Sequence, residues 1–188
     1  MRKLIVSTLV TLDNVIEDPG GMTDFPYGGW ANAYFKKEAV ERSLQKLQES
    51  DYLLCGHKTY EMFSKAWPKS SSPYADRLNN MPKLVASKTL KEPLEWNAQL
   101  LKGDAIETLK SIKQESGGNI LMYGSPILMR SLLQNNLVDQ LDLLLCPIVV
   151  GAGQRLFEGN TELEKFELID QTKLPSGMTI LSYQPLSS

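Results

Sequence analysis

The 188-residue chain has one histidine and two cysteines, and no surplus of positive charge, since 20 Lys and Arg stand against 22 Asp and Glu. Each shortage removes a class of function. A lone histidine and the lack of any Cys-x-x-Cys leave no ligand set for structural zinc, and the His-x-Glu with Pro-Cys-x-x-Cys pattern of zinc deaminases is absent. No metal is expected. A net charge of −2 gives no basic field for nucleic acid or anionic lipid, so any phosphate binding must be local. Cys55 and Cys146 each lie in an apolar run and read as reduced, buried strand thiols. No apolar run approaches the about 20 residues of a membrane span. The start "MRKLIVSTLV" looks like a signal peptide, but it runs into Asp13, Glu17 and Asp18 without a small-residue cleavage site. A cytoplasmic protein with no membrane or nucleic-acid partner is the expectation.

What is present is an ordinary globular composition, 42% hydrophobic and 22% charged, in a length suited to one domain over residues 1–188. "KLIVSTLV" (3–10) is the β-branched run of a strand buried on both faces. A long Gly-, Pro- and aromatic-rich loop follows over 11–30, a kind that is usually functional or mobile. Val40, Leu44 and Leu47 predict an amphipathic helix within 31–50. Residues 51–56 supply the second strand, and a second helix must end by Trp67-Pro68. "SSSPYADRLNNMP" reads as a loop around one short helical turn. Strands at 83–87, 98–102 and 119–124 follow, with a helix from Asp104 to about Glu115 between the last two. Ser125 suits an N-cap and Pro126 a first helical position. "LDLLLCPIVVGAG" is a buried strand with a glycine turn, and "KFELIDQTKL" and "MTILSYQ" flank "PSG" as a terminal hairpin. The fold class is α/β, with a mostly parallel sheet of about eight strands, helices on both faces and an antiparallel C-terminal edge.

Several nucleotide and hydrolase signatures fail. No Gly-x-Ser-x-Gly elbow occurs. "GHKT" (56–59) echoes the end of a P-loop but lacks both the glycine directly before the lysine and the earlier glycine of that motif. "VVGAGQRLF" resembles a dinucleotide fingerprint, yet Leu156 replaces the third glycine and no βαβ unit follows. Three anion-capable turns survive, each at the C-terminal end of a strand: Gly56-His57-Lys58-Thr59, Ser87-Lys88-Thr89 and Tyr123-Gly124-Ser125-Pro126. Singly, Lys58 and Lys88 read as solvated charges and Gly124-Ser125-Pro126 as a good helix start. Jointly, on ends of one parallel sheet, they point to one ligand carrying several phosphates.

"KLIVSTLVTLDNVI", "LLCGHKTYEMF", "KLVASKTL", "NILMYGSPILMRSLL" and "VDQLDLLLCPIVVGAGQRLF" together resemble the dihydrofolate reductase fold. More closely, they are similar to the reductase domain of bacterial riboflavin biosynthesis and its small stand-alone relatives, over nearly the whole chain. That resemblance implies NADPH as cofactor. It implies that His57, Lys58 and Thr59 meet the cofactor's phosphates, that Ser87, Lys88 and Thr89 hold the 2′-phosphate side, and that Gly124 and Ser125 cradle the pyrophosphate. Ile16 would lie near the nicotinamide, and the turn at Gly151 would close the same cleft. It also implies a homodimer. The chain departs from the pattern at Thr11-Leu12-Asp13-Asn14, where Ser-Leu-Asp-Gly is common, at Gly124-Ser125 in place of Gly-Gly, and at His57 in place of a basic residue. "WANAYFKKE" offers no acid before Glu38, which argues against folate reduction, and the deaminase half of the bifunctional riboflavin enzyme is missing.

Hydride transfer asks of the protein orientation, a dry cleft and one proton source. Asp13 is the candidate polar anchor or proton relay, with a turn-stabilising role as its alternative. Trp30 and Trp67 are candidates to stack on a substrate ring, with core packing as theirs. The expected function is an NADPH-dependent reductase of a pteridine-like or ribosylamino-pyrimidine-like molecule. A non-catalytic nucleotide-binding or sensor module on the same fold, or a plain structural α/β domain, are the alternatives.

Overall fold

The computed structural model describes residues 1–159 and 163–186. One eight-stranded sheet runs through it. Its strands are β1 (Leu4–Thr11), β2 (Ser50–Gly56), β3 (Lys83–Ala86), β4 (Ala98–Leu100), β5 (Asn119–Tyr123), β6 (Gln140–Cys146), β7 (Phe166–Lys173) and β8 (Thr179–Pro185). In space the order is β4-β3-β2-β5-β1-β6-β8-β7. Every pairing from β4 to β6 is parallel, and the β6–β8 and β8–β7 pairings are antiparallel. The expected architecture is the observed one, with "PSG" turning the hairpin at Gly177, where φ is +91°.

Five helices cover the sheet among the described residues: α1 (Lys37–Gln48), α2 (His57–Ala66), α3 (Pro73–Asn80), α4 (Ala105–Gln114) and α5 (Pro126–Gln134). Alternate strand residues face opposite sides. Leu4, Val6, Leu54, Ile120 and Met122 pack with Leu109 of α4 and Met129 and Leu132 of α5. On the other face Ile5, Leu53 and Leu121 pack under Leu47 of α1 and Tyr74 and Leu78 of α3. A third cluster on that face joins Trp30, Ala31 and Ala39 to Leu144, Cys146 and Ile180. A polar row lies between the two, because register aligns Tyr123, Ser7, Asp142 and Ser182 on neighbouring strands. Asp142 is fully buried there, accepting from Ser182 Oγ at 2.5 Å and Gln140 Nε2 at 2.8 Å, with Lys46 Nζ of α1 2.7 Å away.

Two expectations are corrected. The helix expected over 31–50 begins only at Lys37, because the preceding residues form turns that carry Trp30 and Ala31 into the third cluster. The segment read as loop around a short turn is the eight-residue α3, started by Ser72, whose side chain accepts from Ala75 N at 3.1 Å, with Pro73 at the first position. Both cysteines are buried, and burial pushes each thiol up to about 12. No helix among the described residues is long and apolar enough to cross a membrane, and none of their side chains group as a metal site.

Candidate functional site

β3, β2, β5, β1 and β6 are five consecutive neighbours running in one direction, so their C-terminal ends share one edge of the sheet. On that edge, in spatial order, stand the turn 87–89, the turn 56–59, the turn 124–126, the loop from Leu12 and the turn at Gly151. Ligand crevices of open α/β sheets lie in this place. The three turns singled out in the sequence are therefore neighbours, although 27 and 34 residues of chain lie between consecutive ones.

Side-chain geometry ties them together. His57 Nδ1 lies 2.9 Å from Thr89 Oγ1 and 3.2 Å from Ser87 Oγ, and Nε2 lies 3.1 Å from Glu61 Oε2 one helical turn along α2. Ser87 Oγ also accepts from the Thr89 and Leu90 amides, closing its turn. On the other side, a Cβ built on Gly56 would come 2.9 Å from Ser125 Cβ, so the 56–59 and 124–126 turns touch and glycine is required where they do. Gly124 (φ +59°) and Gly151 (φ +82°) adopt left-handed backbone, and a Cβ at either would meet nothing within 4 Å. Both glycines border open space.

Helix N-termini sharpen this picture. α3 and α4 are capped by Ser72 and by Asp104, whose carboxylate accepts from the Ile106 and Glu107 amides. α2 and α5, which start directly at or within three residues of the ends of β2 and β5, have no side-chain cap. α1 lacks one too, starting at exposed Lys36. Ser125, expected as the cap of α5, makes no capping bond, because its side chain packs against Gly56 instead. The first amides of α2 and α5 are thus left for an anion, with the positive ends of both helices behind them.

The remaining candidates sort unevenly. Lys58 and Lys88 are exposed, whereas Thr59 is largely buried. Tyr123 contributes backbone to the edge but packs its ring against the second cluster, where burial raises its hydroxyl well above the usual tyrosine range. Pro126 is buried at the start of α5. Ile16 packs against the first cluster, and its amide donates to the Gln154 carbonyl at 2.9 Å. Trp30 is corrected from ring-stacking candidate to core residue: it is 7% exposed and donates its indole N–H to the Glu17 carbonyl at 2.7 Å. Trp67 likewise packs edge-on to Phe63.

Asp13 is the clearest case of a role set by its neighbours. It accepts from Thr11 Oγ1 (2.7 Å), Gly151 N (2.8 Å) and Val150 N (3.2 Å). The Thr11 hydroxyl, then the two amides, hold its carboxyl down at about 2, below the usual carboxylate value. It is ionised at neutral pH and ties the first loop to the Gly151 turn, the structural role that stood as its alternative, and as an ion it has no proton to relay. Arg155 completes the seam by donating from Nε to the Asp13 carbonyl, and the Leu156 amide donates to Asn14.

Sequence reasoning overlooked Glu61, Asp18 and an apolar rim. Asp18, buried in the 18–29 loop, accepts from the Met22 and Thr23 amides and so shapes that loop. Its signal was an Asx turn ahead of Pro19-Gly20-Gly21. Leu12, Ile127 and Val149 are 59%, 64% and 64% exposed, just beyond β1, β5 and β6. Only the sheet order reveals that they are neighbours.

Comparison with known proteins places this architecture. The chain is 24% identical over 191 residues to the uncharacterized protein YyaP of Bacillus subtilis (strain 168), covering 97% of this chain and 94% of that one. It shares its fold with a putative riboflavin biosynthesis protein from Shewanella sp. PV-4 (TM-score 0.77, 22% identity, 98% and 99% of the two chains). It also shares it with the diaminohydroxyphosphoribosylaminopyrimidine deaminase/5-amino-6-(5-phosphoribosylamino)uracil reductase of Thermotoga maritima, at TM-score 0.66 and 14% identity. There it covers 98% of this chain but 57% of the other, so it spans little more than half of that protein. The RibD C-terminal domain matches residues 2–180, and the chain belongs to that family.

Proposed function

We propose that the chain is an NADPH-dependent reductase that passes hydride to a pteridine-like or ribosylamino-pyrimidine-like small molecule. The observation that carries this reading is the pair of uncapped helix N-termini, α2 and α5, joined where Gly56 meets Ser125. A polyphosphate bridge fits such a pair, since two sets of free amides and two helix dipoles converge on it. His57, Ser87 and Thr89 form the adjacent hydroxyl-and-imidazole cluster, with Lys88 exposed beside it, and these suit the 2′-phosphate. The nicotinamide supplies the hydride when bound. Everything else falls to the chain: the Asp13–Gly151 seam fixes the first loop, and Leu12, Ile127 and Val149 offer apolar contact to a flat ring.

One observation favours the second reading, a non-catalytic nucleotide-binding module. Asp13 is saturated by donors and ionised, so the one acid that the sequence offered as a proton relay does not serve as one. Turnover under the first reading then takes its proton from a source other than Asp13.

Side-by-side titration with NADPH and NADH, read by fluorescence and melting temperature, tests the cofactor. Charge-assisted contacts to one phosphate are worth roughly 1.5–3 kcal/mol, which corresponds to an NADPH preference of about 10- to 100-fold. That preference should disappear in Ser87→Ala/Lys88→Ala. Binding of neither nucleotide would sink the reading. Tight binding without oxidation of NADPH by imine, carbonyl or pterin acceptors would favour the module.

The active form we propose is a homodimer using β7. In support, β7 is an edge strand with five consecutive exposed residues, among them Leu168 and Ile169, 45% and 47% exposed.

A further inference from the structure

Two hydroxyl groups converge on one ring nitrogen where the 56–59 and 87–89 turns meet. Thr89 Oγ1 lies 2.9 Å and Ser87 Oγ 3.2 Å from His57 Nδ1. The other nitrogen, Nε2, lies 3.1 Å from Glu61 Oε2, and no other carboxylate among the described residues is within ion-pair distance of the ring. A carboxylate can only accept, so Nε2 carries the proton that joins the two. In a neutral ring Nδ1 then has a single lone pair, and both hydroxyls face it. Ser87 Oγ cannot accept from the ring instead, because the Thr89 and Leu90 amides, at 3.2 and 3.1 Å, already take both its lone pairs. One hydroxyl hydrogen is surplus. Protonating Nδ1 changes the count: Nδ1–H donates to Thr89 Oγ1, and the hydroxyl hydrogens of both Ser87 and Thr89 come free.

We propose that His57 grips the cofactor's 2′-phosphate as an imidazolium, between that phosphate and Glu61, so that the phosphorylated cofactor binds with uptake of one proton and the unphosphorylated one without. The inference rests on the reductase reading and adds to it what sets the choice of cofactor. A phosphate dianion offers only acceptors. The neutral cluster turns its hydroxyls inward and has at most one hydrogen to give, whereas the imidazolium cluster gives two together with a positive charge. The charged side chains on the two segments that meet here are Glu61 and Lys58 on α2 and exposed Lys88 on the facing turn. Two cations against one carboxylate oppose a third positive charge, and the arriving dianion reverses that balance. The side chains of His57 and Glu61 are 37% and 48% exposed, so ligand and proton both reach them. Glu61 is a positioning residue: by holding Nε2 it turns Nδ1 toward the hydroxyls. An arginine at position 57 would stay charged at every working pH and could not make the choice depend on a proton.

His57 is the only histidine in the chain, so its ring signals in a proton NMR titration need no assignment. Adenosine 2′,5′-bisphosphate and NADPH should each raise the titration midpoint by about one unit, a tenfold coupling of proton and phosphate. Adenosine 5′-monophosphate and NADH, at saturation, should leave it where it is. By the same linkage the preference for NADPH is complete below the free midpoint and falls about tenfold as pH rises through the bound one. Glu61→Gln keeps an acceptor for Nε2–H without the charge, and it should lower the midpoint of the free protein and weaken NADPH more than NADH. An unchanged midpoint at saturating NADPH overturns the proposal while the reductase reading stands. So does a His57→Gln variant whose NADPH preference still falls with pH as in wild type. If NADPH does not bind but the bisphosphate raises the midpoint, the reductase reading fails and the proton-linked phosphate site stands. If neither binds, both fall.

Discussion

Asp13 shows how one side chain can be located by sequence and still be given two roles. Its position beyond a buried strand marked it out, but its three donors include the amides of Val150 and Gly151, some 137 residues away, which no local pattern could supply. The ion is therefore stabilised in the folded state. Because its folded value is depressed to about 2 from 3.8, the stabilisation is complete above about pH 4 and is lost as pH falls toward 2. Asp13→Asn should thus melt below wild type at neutral pH, and the gap should close on acidification. A gap constant with pH would mean that the carboxylate's charge contributes nothing to the seam. Trp30 failed for a related reason. An aromatic residue in a Gly-rich loop suits either a ring platform or the core, and the choice depends on Leu144, Cys146 and Ile180, which arrive from β6 and β8.

At the scale of elements, strands and helices were legible where periodicity was long. β1, buried at all but one of its positions, and α4, opened by Asp104, stand close to where the pattern put them. α3 was hidden because Ser, Pro and Asn dominate its segment, and its Ser72-Pro73 start is a helix signal only once Tyr74 and Leu78 have a core to enter. The docking of the 56–59 turn against the 124–126 turn was invisible as a contact, although both turns were identified. It makes a sharp test. Gly56 has an ordinary φ of −77°, so an alanine there is strained only by its collision with Ser125. Gly56→Ala should cost about 1–3 kcal/mol, the usual cost of overpacking, and should weaken NADPH binding as the two helix starts are pushed apart. Ser125→Gly added to it should restore much of both, since the atoms met are Ser125 Cβ and Oγ. Failure of that rescue in denaturant titrations would place the tight contact elsewhere.

For the whole molecule, the sheet's two edges differ in what they leave uncovered. β4 is three residues long, which blunts that edge, whereas β7 has eight residues and would extend about 26 Å. A stable dimer buries about 1,200–2,000 Å² in total, and β7 is an edge of suitable length that exposes Leu168 and Ile169 among polar residues, with Leu163 and Leu186, 81% and 45% exposed, flanking it in the chain. A register shift between Leu168 and Asp170 marks a bulge in β7. Bulges interrupt ladder pairing, so side chains rather than a continuous backbone ladder would carry the contact, with Ile169 at its centre. Sedimentation equilibrium should return twice the chain mass for wild type. Ile169→Lys, which would bury an unpaired charge, should raise the dissociation constant by at least about tenfold, or 1.4 kcal/mol. β8 separates β7 from β6, the nearest strand whose end forms the cleft, so those strand ends should be untouched and the variant should bind NADPH as wild type does. A monomeric wild type would discard the dimer, and loss of nucleotide binding in a folded monomeric variant would show that each cleft needs its partner.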